Sequence, residues 1–233
     1  MRRLAQSAVR NIRGFAVVVP FAALLCSPSA ASAQVALGGA EDFAVLGGSA
    51  VTCTDCAIEG DVGVNLGGAI TQTNGQISGT VHQGDTVAQQ AYDDLRAAYE
   101  AIAAEPCGTF LTGLSGQTLL PGVYCVNVAA TETGGVLTLA GTSADTWIFK
   151  IGTSGTGALT GTSFSVVMPG ADKCNNNVFW WTADAATLTD STFLGSILAG
   201  TAITVTRGSL DGQALANAVT LTGPSVCGRR GSN

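Results

Sequence analysis

Ala202-Ile203-Thr204-Val205-Thr206 is one of seven segments in this chain that follow the pattern Ala-x-Thr-x-Thr. The other six begin at Ala50, Ala69, Ala129, Ala158, Ala185 and Ala218. Successive side chains of a β-strand point to opposite faces, so each segment would place its Ala and both Thr on one face. The repeats therefore predict seven stacked strands that share an outer surface of methyl and hydroxyl groups with almost no charge.

The residues between these positions form the predicted inner side of the strands. Most of them are apolar, and the apolar set comprises Val51, Cys53, Leu159, Ala186, Leu188, Ile203, Val205, Val219 and Leu221. Gln72 and Glu132 are polar exceptions. Because a polar side chain is costly in a core, we expect the strands that contain these two residues to be irregular or to lie at an end of the stack.

The spacing of the repeats indicates a solenoid. Thr187, Thr204 and Thr220 are 17 and 16 residues apart, which is too short for most helical repeats and fits one turn of a β-solenoid. Each of these units also contains a predicted second strand, at 193–198 and 210–215.

A gap of 60 residues between Thr71 and Thr131 interrupts the repeats and contains the one convincing helix. Asp85 is a suitable N-cap, and Pro106 ends the pattern. The apolar residues that recur at helical spacing are Val87, Ala91, Leu95, Ala98 and Ile102. The sequence therefore predicts a helix insertion at about 85–105, with one apolar stripe that packs along the flank of the solenoid.

The first 33 residues are predicted to be a secretory signal peptide. They combine four Arg, an apolar run from Phe15 to Leu25 that is too short to span a bilayer comfortably, and the small-residue cleavage site Ala31-Ser32-Ala33. We expect cleavage after Ala33 and a secreted single domain of residues 34–233. Leu24-Leu25-Cys26 leaves a lipoprotein signal as an alternative, although Leu25 is a poor residue directly before a lipidated cysteine.

The charge of the mature chain limits its partners. All 16 Asp and Glu lie after Ala33, together with six of the ten Lys and Arg, so the predicted mature net charge is −10. This balance argues against nucleic acid and membrane surfaces as partners. We find no later segment suited to a membrane helix and no anchor after Cys227, and we expect a monomer.

The cysteines indicate disulfides. Six Cys remain after the signal, an even number that suits an exported protein. Spacing alone does not fix the pairing among 15 possibilities. Our hypothesis pairs Cys107 with Cys125 and Cys174 with Cys227, and leaves Cys53 and Cys56 paired locally or reduced. The alternative for Cys53-x-x-Cys56, half of a zinc site or a redox motif, lacks a second such motif.

A further set of motifs extends along nearly the whole mature chain. It comprises Leu37–Ser49, Gly60–Val64, Asp85–Tyr99, Pro121–Tyr124, Trp147–Gly152, Asn177–Trp180 and almost all of Ser191–Thr222. Together these motifs resemble the microbial ice-binding proteins with a discontinuous β-solenoid fold, also grouped as type 1 ice-binding or antifreeze proteins.

The resemblance has implications for fold and function. It implies a mainly β protein: a right-handed discontinuous parallel β-solenoid of triangular section, with one long α-helix packed alongside. It also implies that N-terminal coils pack next to coils from the C-terminal part of the chain. In this family one flat face of the solenoid binds ice.

The Ala-x-Thr-x-Thr surface is the predicted ice-binding face. A stiff β-branched Thr array is ordered before it meets its ligand, and regular methyls and hydroxyls can hold water in a lattice-like arrangement. We expect no cofactor and no metal. The alternative is that Thr is simply a favourable exposed strand residue. The predicted face comprises Thr52, Thr54, Thr71, Thr73, Thr131, Thr133, Ala158, Thr160, Thr187, Thr189, Ala202, Thr204, Thr206, Thr220 and Thr222.

Two other functions are considered. A polysaccharide-cleaving solenoid needs paired carboxylates in one cleft, whereas six Asp are scattered at predicted corners, where Asp commonly supports turns. His82 is the only His, expected in an exposed position or near the start of the helix. We therefore predict that the chain is not an enzyme. The other alternative is a surface adhesin or extracellular matrix protein that uses the solenoid as a rigid spacer. The six scattered Asp that argue against the polysaccharide-cleaving enzyme are Asp61, Asp145, Asp172, Asp184, Asp190 and Asp211.

The three tryptophans bear on the same question, because exposed Trp can stack on sugars. Trp147 and Trp180 lie in apolar strand contexts and are predicted to belong to the core. The position of Trp181 stays open.

Overall fold

The structure is a computed structural model that describes residues 35–170 and 174–229. The predicted signal peptide and its cleavage site lie outside the described residues, as does Asp172. In the described part of the chain, no helix is long and apolar enough to cross a membrane.

The described elements are strands, one α-helix and a short 3₁₀ helix, Gly38–Asp42. Before and including the α-helix they are β1 (Phe43–Thr54), β2 (Ala57–Glu59), β3 (Asp61–Val64), β4 (Ala69–Thr73), β5 (Gln76–Ile77), β6 (Val81–Gln83) and α1 (Thr86–Ala104). After it they are β7 (Thr109–Phe110), β8 (Thr118–Leu119), β9 (Gly122–Val126), β10 (Ala130–Thr133), β11 (Val136–Leu139), β12 (Thr146–Ile151), β13 (Leu159–Thr162), β14 (Ser165–Val167), β15 (Asn177–Thr182), β16 (Ala186–Leu194), β17 (Ser196–Ala199), β18 (Ala202–Asp211), β19 (Ala214–Thr222) and β20 (Ser225–Cys227).

Three series of parallel pairings give the solenoid three faces, which confirms the predicted mainly β, triangular architecture. The threonine face stacks segments of β4, β1, β19, β18, β16, β13 and β10 in that order. The helix-covered face stacks β6, β3, β1, β19, β17, β15, β12, β9 and β7. The third face stacks β5, β2, β20, β18, β16, β14, β11 and β8.

The stack is discontinuous in sequence, as the resemblance implied. β1, the first strand, pairs in parallel with β19 near the other end of the described chain, with Val51 opposite Val219. A fully buried Gln213 supports this junction, because its Nε2 donates to the carbonyls of Ala40, Glu41 and Phe43 at 2.9, 3.1 and 2.7 Å. Gln213 Oε1 in turn accepts a hydrogen bond from Ser196 Oγ at 2.8 Å.

The interior of the solenoid is one apolar cluster. The nine apolar residues predicted for the inner side of the strands are all buried, at 0–1% exposure. Trp147 and Trp180 are fully buried, as predicted, and Trp180 stacks on Phe149 with ring centroids 4.0 Å apart. Trp181 lies outside this cluster and packs under the helix, where its ring is 5.1 Å from that of Tyr99.

The helix α1 confirms the predicted insertion. Asp85 is its N-cap, and the Asp85 carboxylate accepts a hydrogen bond from the amide of Ala88 at 2.8 Å. Ala91, Leu95, Ala98 and Ile102 are buried against the outer side of the helix-covered face. The assignment of Val87 to this stripe was wrong: Val87 is 52% exposed, and Ala88, one position along, is buried instead.

A buried lysine fixes the other end of α1. Lys150 of β12 is only 4% exposed, and its Nζ donates to the carbonyls of Ala103 at 2.9 Å and of Glu105. Burial lowers the pKa of Lys150. Free carbonyls at a helix C-terminus carry partial negative charge. Their hydrogen bonds therefore offset part of the cost of burying the Lys150 ammonium, and the ammonium in turn satisfies these carbonyls.

The sequence predicted one continuous strand at 193–198 and another at 210–215, but in the structure each of these segments contains a bend between two strands. Segment 193–198 spans the end of β16 and most of β17, and segment 210–215 spans the end of β18 and the start of β19. Gly195 separates the first pair of strands at φ 116°, and a Cβ on Gly212 would lie 2.2 Å from the carbonyl oxygen of Gly195. Stacked glycines therefore make this corner, and each regular coil has three strand segments, one for each face.

The six cysteines form three disulfides, Cys53–Cys56, Cys107–Cys125 and Cys174–Cys227. These are the pairs of the sequence hypothesis, with the local option realised at Cys53 and Cys56. Both of those cysteines are buried, at 1% and 2% exposure. A disulfide leaves no thiolate to bind zinc, and disulfides persist in oxidising compartments.

Candidate functional site

The seven Ala-x-Thr-x-Thr segments come together as seven neighbouring strands. Their first threonines form an in-register row in which Thr52 pairs with both Thr71 and Thr220, and Thr204 pairs with both Thr220 and Thr187. The full row is Thr71, Thr52, Thr220, Thr204, Thr187, Thr160 and Thr131.

The second threonines form a parallel row of the same length. It runs Thr73, Thr54, Thr222, Thr206, Thr189, Thr162 and Thr133. Thr162 was left out of the predicted face although the repeat contains it, and its pairing with Thr133 and Thr189 places it in the row. Ala50 also belongs to the surface, because it pairs with Ala69 and Ala218.

The two rows form a regular grid. Neighbouring strands lie about 4.8 Å apart, and alternate residues of one strand are about 6.6 Å apart. Seven strands therefore extend over roughly 29 Å. Backbone hydrogen bonds fix the spacing between strands and the extended backbone fixes the spacing along each strand, so the grid of threonine Cα positions does not depend on side-chain rotation.

The threonines face solvent to different degrees. Those of β4, β10 and β19 are exposed, whereas those of β1, β13, β16 and β18 are half-buried between neighbouring rows. Ala158 and Ala202, the two alanines of the predicted face, are half-buried as well. The outward positions of the repeats are all Ala or Thr, and the exposed charges on these strands, Asp190 and Arg207, come after the second threonines.

The two polar inward residues lie on the two end strands of the face, as the sequence predicted. Glu132 belongs to β10 and Gln72 to β4. Glu132 is 7% exposed, and its carboxylate accepts hydrogen bonds from the amides of Leu114 at 2.7 Å and Ser115 at 3.1 Å. The amide of Gln72 donates to the Gly75 carbonyl at 2.6 Å.

One corner of the face is set by a left-handed residue after every repeat. The residue after the second Thr has a positive φ in all seven copies, from 50° to 74°. Glycine tolerates this conformation best, and Asn and Asp are also enriched in it. The row comprises Asn74, Asp55, Gly223, Arg207, Asp190, Ser163 and Gly134.

The charges in this corner are partly paired. Arg207 Nε and one terminal nitrogen donate to the two carboxylate oxygens of Asp190 at 2.6 and 2.7 Å. The hydrogen bonds from Arg207 lower the pKa of Asp190, so both groups stay ionised at neutral pH. The pair borders the threonine face without entering it.

His82, Asp61 and Asp184 have local structural roles. The imidazole Nδ1 of His82 lies 2.7 Å from a carboxylate oxygen of Asp85 at the helix start, in line with the sequence expectation. Asp61 accepts a hydrogen bond from the amide of Thr80, and Asp184 accepts one from Gly157. In the described residues the group with metal-ligand proximity is Glu59, Cys174 and Cys227, and its two cysteines share a disulfide.

Fold and site together define a class of protein: a parallel β-solenoid that presents a flat, uncharged and regularly spaced threonine array. Within that class, this chain belongs to the ice-binding-like family, whose sequence profile matches residues 45–227. The match supports this family as a whole and not the narrower type 1 label.

Known relatives of this chain are ice-binding proteins by name. It is 40% identical to an ice-binding protein of Nostoc sp. (strain HG1), over 85% of this chain and 75% of that protein. It is 33% identical to ice-binding protein K3-B1 of Typhula ishikariensis, over 76% of this chain and 81% of the relative.

Solved structures agree with the fold. The ice-binding protein of the Antarctic ascomycete Antarctomyces psychrotrophicus superposes with a TM-score of 0.74 at 32% identity, covering 86% of this chain and 99% of that one. An ice-binding protein from an Antarctic biological consortium gives a TM-score of 0.75 at 30% identity, covering 84% and 91%.

Proposed function

We propose that this protein binds the surface of ice crystals through the threonine face, and that it thereby acts as an antifreeze and an inhibitor of ice recrystallisation. One observation carries the proposal: two rows of seven threonines in register, with no charged side chain facing outward between them. Glu132 is buried, and the charged residues Asp190 and Arg207 follow the second row at the corner. Its relatives named as ice-binding proteins support the same ligand.

The chemistry of the grid suits a solid water surface. The hydroxyl of Thr can hold a water molecule by hydrogen bonding, while its methyl group excludes disordered water. Because χ1 of a β-branched residue is already restricted, the array loses little side-chain entropy on binding. Charged groups would hydrate more strongly and hold water in arrangements unlike ice, and the nearest ion pair stands at the corner.

The proposed role needs neither catalysis nor a bound group. Ice is a ligand made of water alone, so contact with the grid suffices and no cofactor or metal takes part. We further propose that the protein is secreted, with cleavage after Ala33 that leaves residues 34–233 as the mature domain. Three disulfides support an exported location.

Partition into a slowly grown ice hemisphere tests the proposal. We expect the purified protein to enter the ice at low and at moderate salt alike, because the face has no charge for ions to screen. A chelator should leave the partition unchanged. Rejection from the ice at every salt concentration would contradict ice binding and would make the adhesin the leading alternative; loss of partition in chelator would reveal a metal that the proposal excludes.

A further inference from the structure

The two ends of the solenoid differ in how their strand edges are protected. At one end the chain forms the closing coil, residues 65–84, which contains β4, β5 and β6. Among the described residues each of these strands pairs on one side only, with β1, β2 and β3 respectively. A strand with one free side offers unpaired amides and carbonyls to another chain.

The opposite end carries several devices that prevent such pairing. Its edge strands β7 and β8 are two residues each. Pro106 and Pro121 flank them, and the disulfide Cys107–Cys125 constrains the segment. The carboxylate of Glu132 already occupies two amides of the adjacent loop. Short strands and prolines are the usual means of blunting an edge.

The closing coil has fewer of these devices: β5 is also only two residues long and the Asp61 carboxylate occupies the amide of Thr80, but the coil contains no proline and no cysteine. Residues 65–84 contain no Asp, Glu, Lys, Arg or Pro. Leu66 is 69% exposed and Val81 is 47% exposed, while Ile70 and Ile77 of the same coil are only half-buried against the core. The apolar interior of the solenoid therefore reaches the surface at this end, framed by free strand edges.

The described chain begins beside the helix and ends in a groove that Arg229 and Ser78 both line, at one edge of the closing coil. Val35, where the description begins, lines a groove with Ala101, Ile102 and Glu105 at the last turns of α1, toward the opposite end. Arg229, where it ends, contacts Asn177 and Glu41. The closing coil is also uncharged in a chain with a predicted mature net charge of −10, so two copies can approach here with little repulsion between like charges.

We propose that two copies of this chain pair end to end through their closing coils, about a twofold axis perpendicular to the threonine face. Such an axis brings β4 against β4 of the second copy as an antiparallel pair. It also exchanges the other two faces, so that β5 meets β6 of the second copy and β6 meets β5. These strands have two and three residues and match in length.

Pairing of this kind would join the two threonine faces. The axis keeps both faces on the same side, so the stack grows from seven strands to fourteen, roughly 62 Å long. This consequence for ice binding rests on the proposed function, whereas the pairing itself does not. The proposed dimer differs from the monomer that we expected from the sequence.

Sedimentation equilibrium of the purified mature protein over a wide concentration range tests the pairing. We expect the average mass to rise from one chain to two and no further. Leu66→Lys should weaken dimerisation at least about tenfold, because like charges would face each other across the axis. Val81→Lys is the second variant, in case Leu66→Lys does not fold. Leu120→Lys is the matched control at the opposite end, where Leu120 is 67% exposed.

The possible outcomes separate this proposal from the proposed function. A monomer at all concentrations, masses beyond two chains, or equal effects of Leu66→Lys and Leu120→Lys would each overturn end-to-end pairing. Small-angle scattering should give the dimer a stack length of about 77 Å, as expected when the nine-strand helix-covered face of one copy continues into the eight-strand third face of the other; a much shorter particle would also overturn it. Ice partition of Leu66→Lys at monomeric concentrations should persist, so a failure of pairing would leave ice binding untouched.

Discussion

The threonine face and the helix-covered face belong to one solenoid, and the strands β1 and β19 contribute to both. On the helix-covered face, Leu46 and Leu215 are opposite each other in register and are fully buried beneath α1. A few residues further along the same two strands, Thr52 and Thr220 are opposite each other in register and are accessible to solvent.

The comparison shows that the pattern of backbone hydrogen bonds does not determine whether a face packs under the helix or stays open to solvent. Both faces have the same parallel pairing, and the outward side chains make the difference. Burial of a Leu side chain contributes about 1.5–3 kcal/mol, whereas an outward Thr contributes little to stability. Stability and ice contact therefore depend on different surfaces of one protein and can be changed separately.

The largest expected effect is on ice activity, from Thr204→Tyr at the centre of the threonine face. The phenol ring stands above the plane and keeps neighbouring threonines away from the ice. We expect loss of most thermal hysteresis, measured in a nanolitre osmometer, with the free energy of unfolding changed by only about 0.5 kcal/mol.

The matched control is Thr192→Tyr, the same substitution at an exposed position of the third face. It should keep full thermal hysteresis. Equal losses from the two variants would show that the threonine face has no special role.

The reverse result is expected from Leu215→Ala on the helix-covered face. The cavity beneath α1 should lower the free energy of unfolding by about 2–5 kcal/mol, measured by urea denaturation. Thermal hysteresis near 0 °C should be unchanged while circular dichroism shows the variant folded. The control Leu120→Ala, at an exposed site, should change neither the free energy of unfolding nor the thermal hysteresis. A folded Leu215→Ala variant without ice activity would contradict the separation of the two surfaces.

The threonine face could be predicted from sequence because its information is local. The alternation of inward and outward residues can be read from each five-residue repeat by itself, and the polar residues Gln72 and Glu132 indicate the two end strands. The helix was equally readable, apart from the exchange of Val87 for Ala88. A stripe at helical spacing fixes its central residues well and its first turn poorly, because the entering chain sets the rotation there.

The parts that could not be predicted depend on contacts between distant segments. Gln213 reads as an ordinary polar residue, yet its partners at Ala40, Glu41 and Phe43 are about 170 residues earlier in the chain. Trp181 could not be placed because its neighbour Tyr99 belongs to the insertion. The left-handed corner was missed because Arg207 and Ser163, unlike Gly and Asn, are not typical of that conformation.

A smaller effect is expected from Gln213→Leu at the junction where β1 pairs with β19, strands that both faces share. The substitution removes hydrogen bonds to three carbonyls that hold the first segment against β19. We expect a loss of about 1–3 kcal/mol in the free energy of unfolding and faster hydrogen exchange at residues 40–43. Gln117→Leu at an exposed site is the control. Unchanged exchange at 40–43 in Gln213→Leu would show that the junction does not depend on this amide.

The smallest expected effect is the pH dependence of the melting temperature, which should change at low pH while ice activity stays constant near neutral pH. A hydrogen bond from the amide of Ala88 lowers the pKa of Asp85 below its usual 3.8, and Arg207 lowers the pKa of Asp190. Ionised carboxylates with depressed pKa values stabilise the fold fully above their unfolded pKa, and this contribution is lost as the pH falls through the folded pKa. The melting temperature should therefore decline slightly below about pH 4.

The decline should be shallower in Asp85→Asn, because Asn still caps the helix and does not titrate. Thermal hysteresis should stay constant from pH 5 to 8, because no outward residue on the strands of the threonine face titrates in that range. A several-fold change in hysteresis between pH 5 and 8, with the protein folded throughout, would mean that ice contact extends beyond the threonine grid to titratable groups outside it.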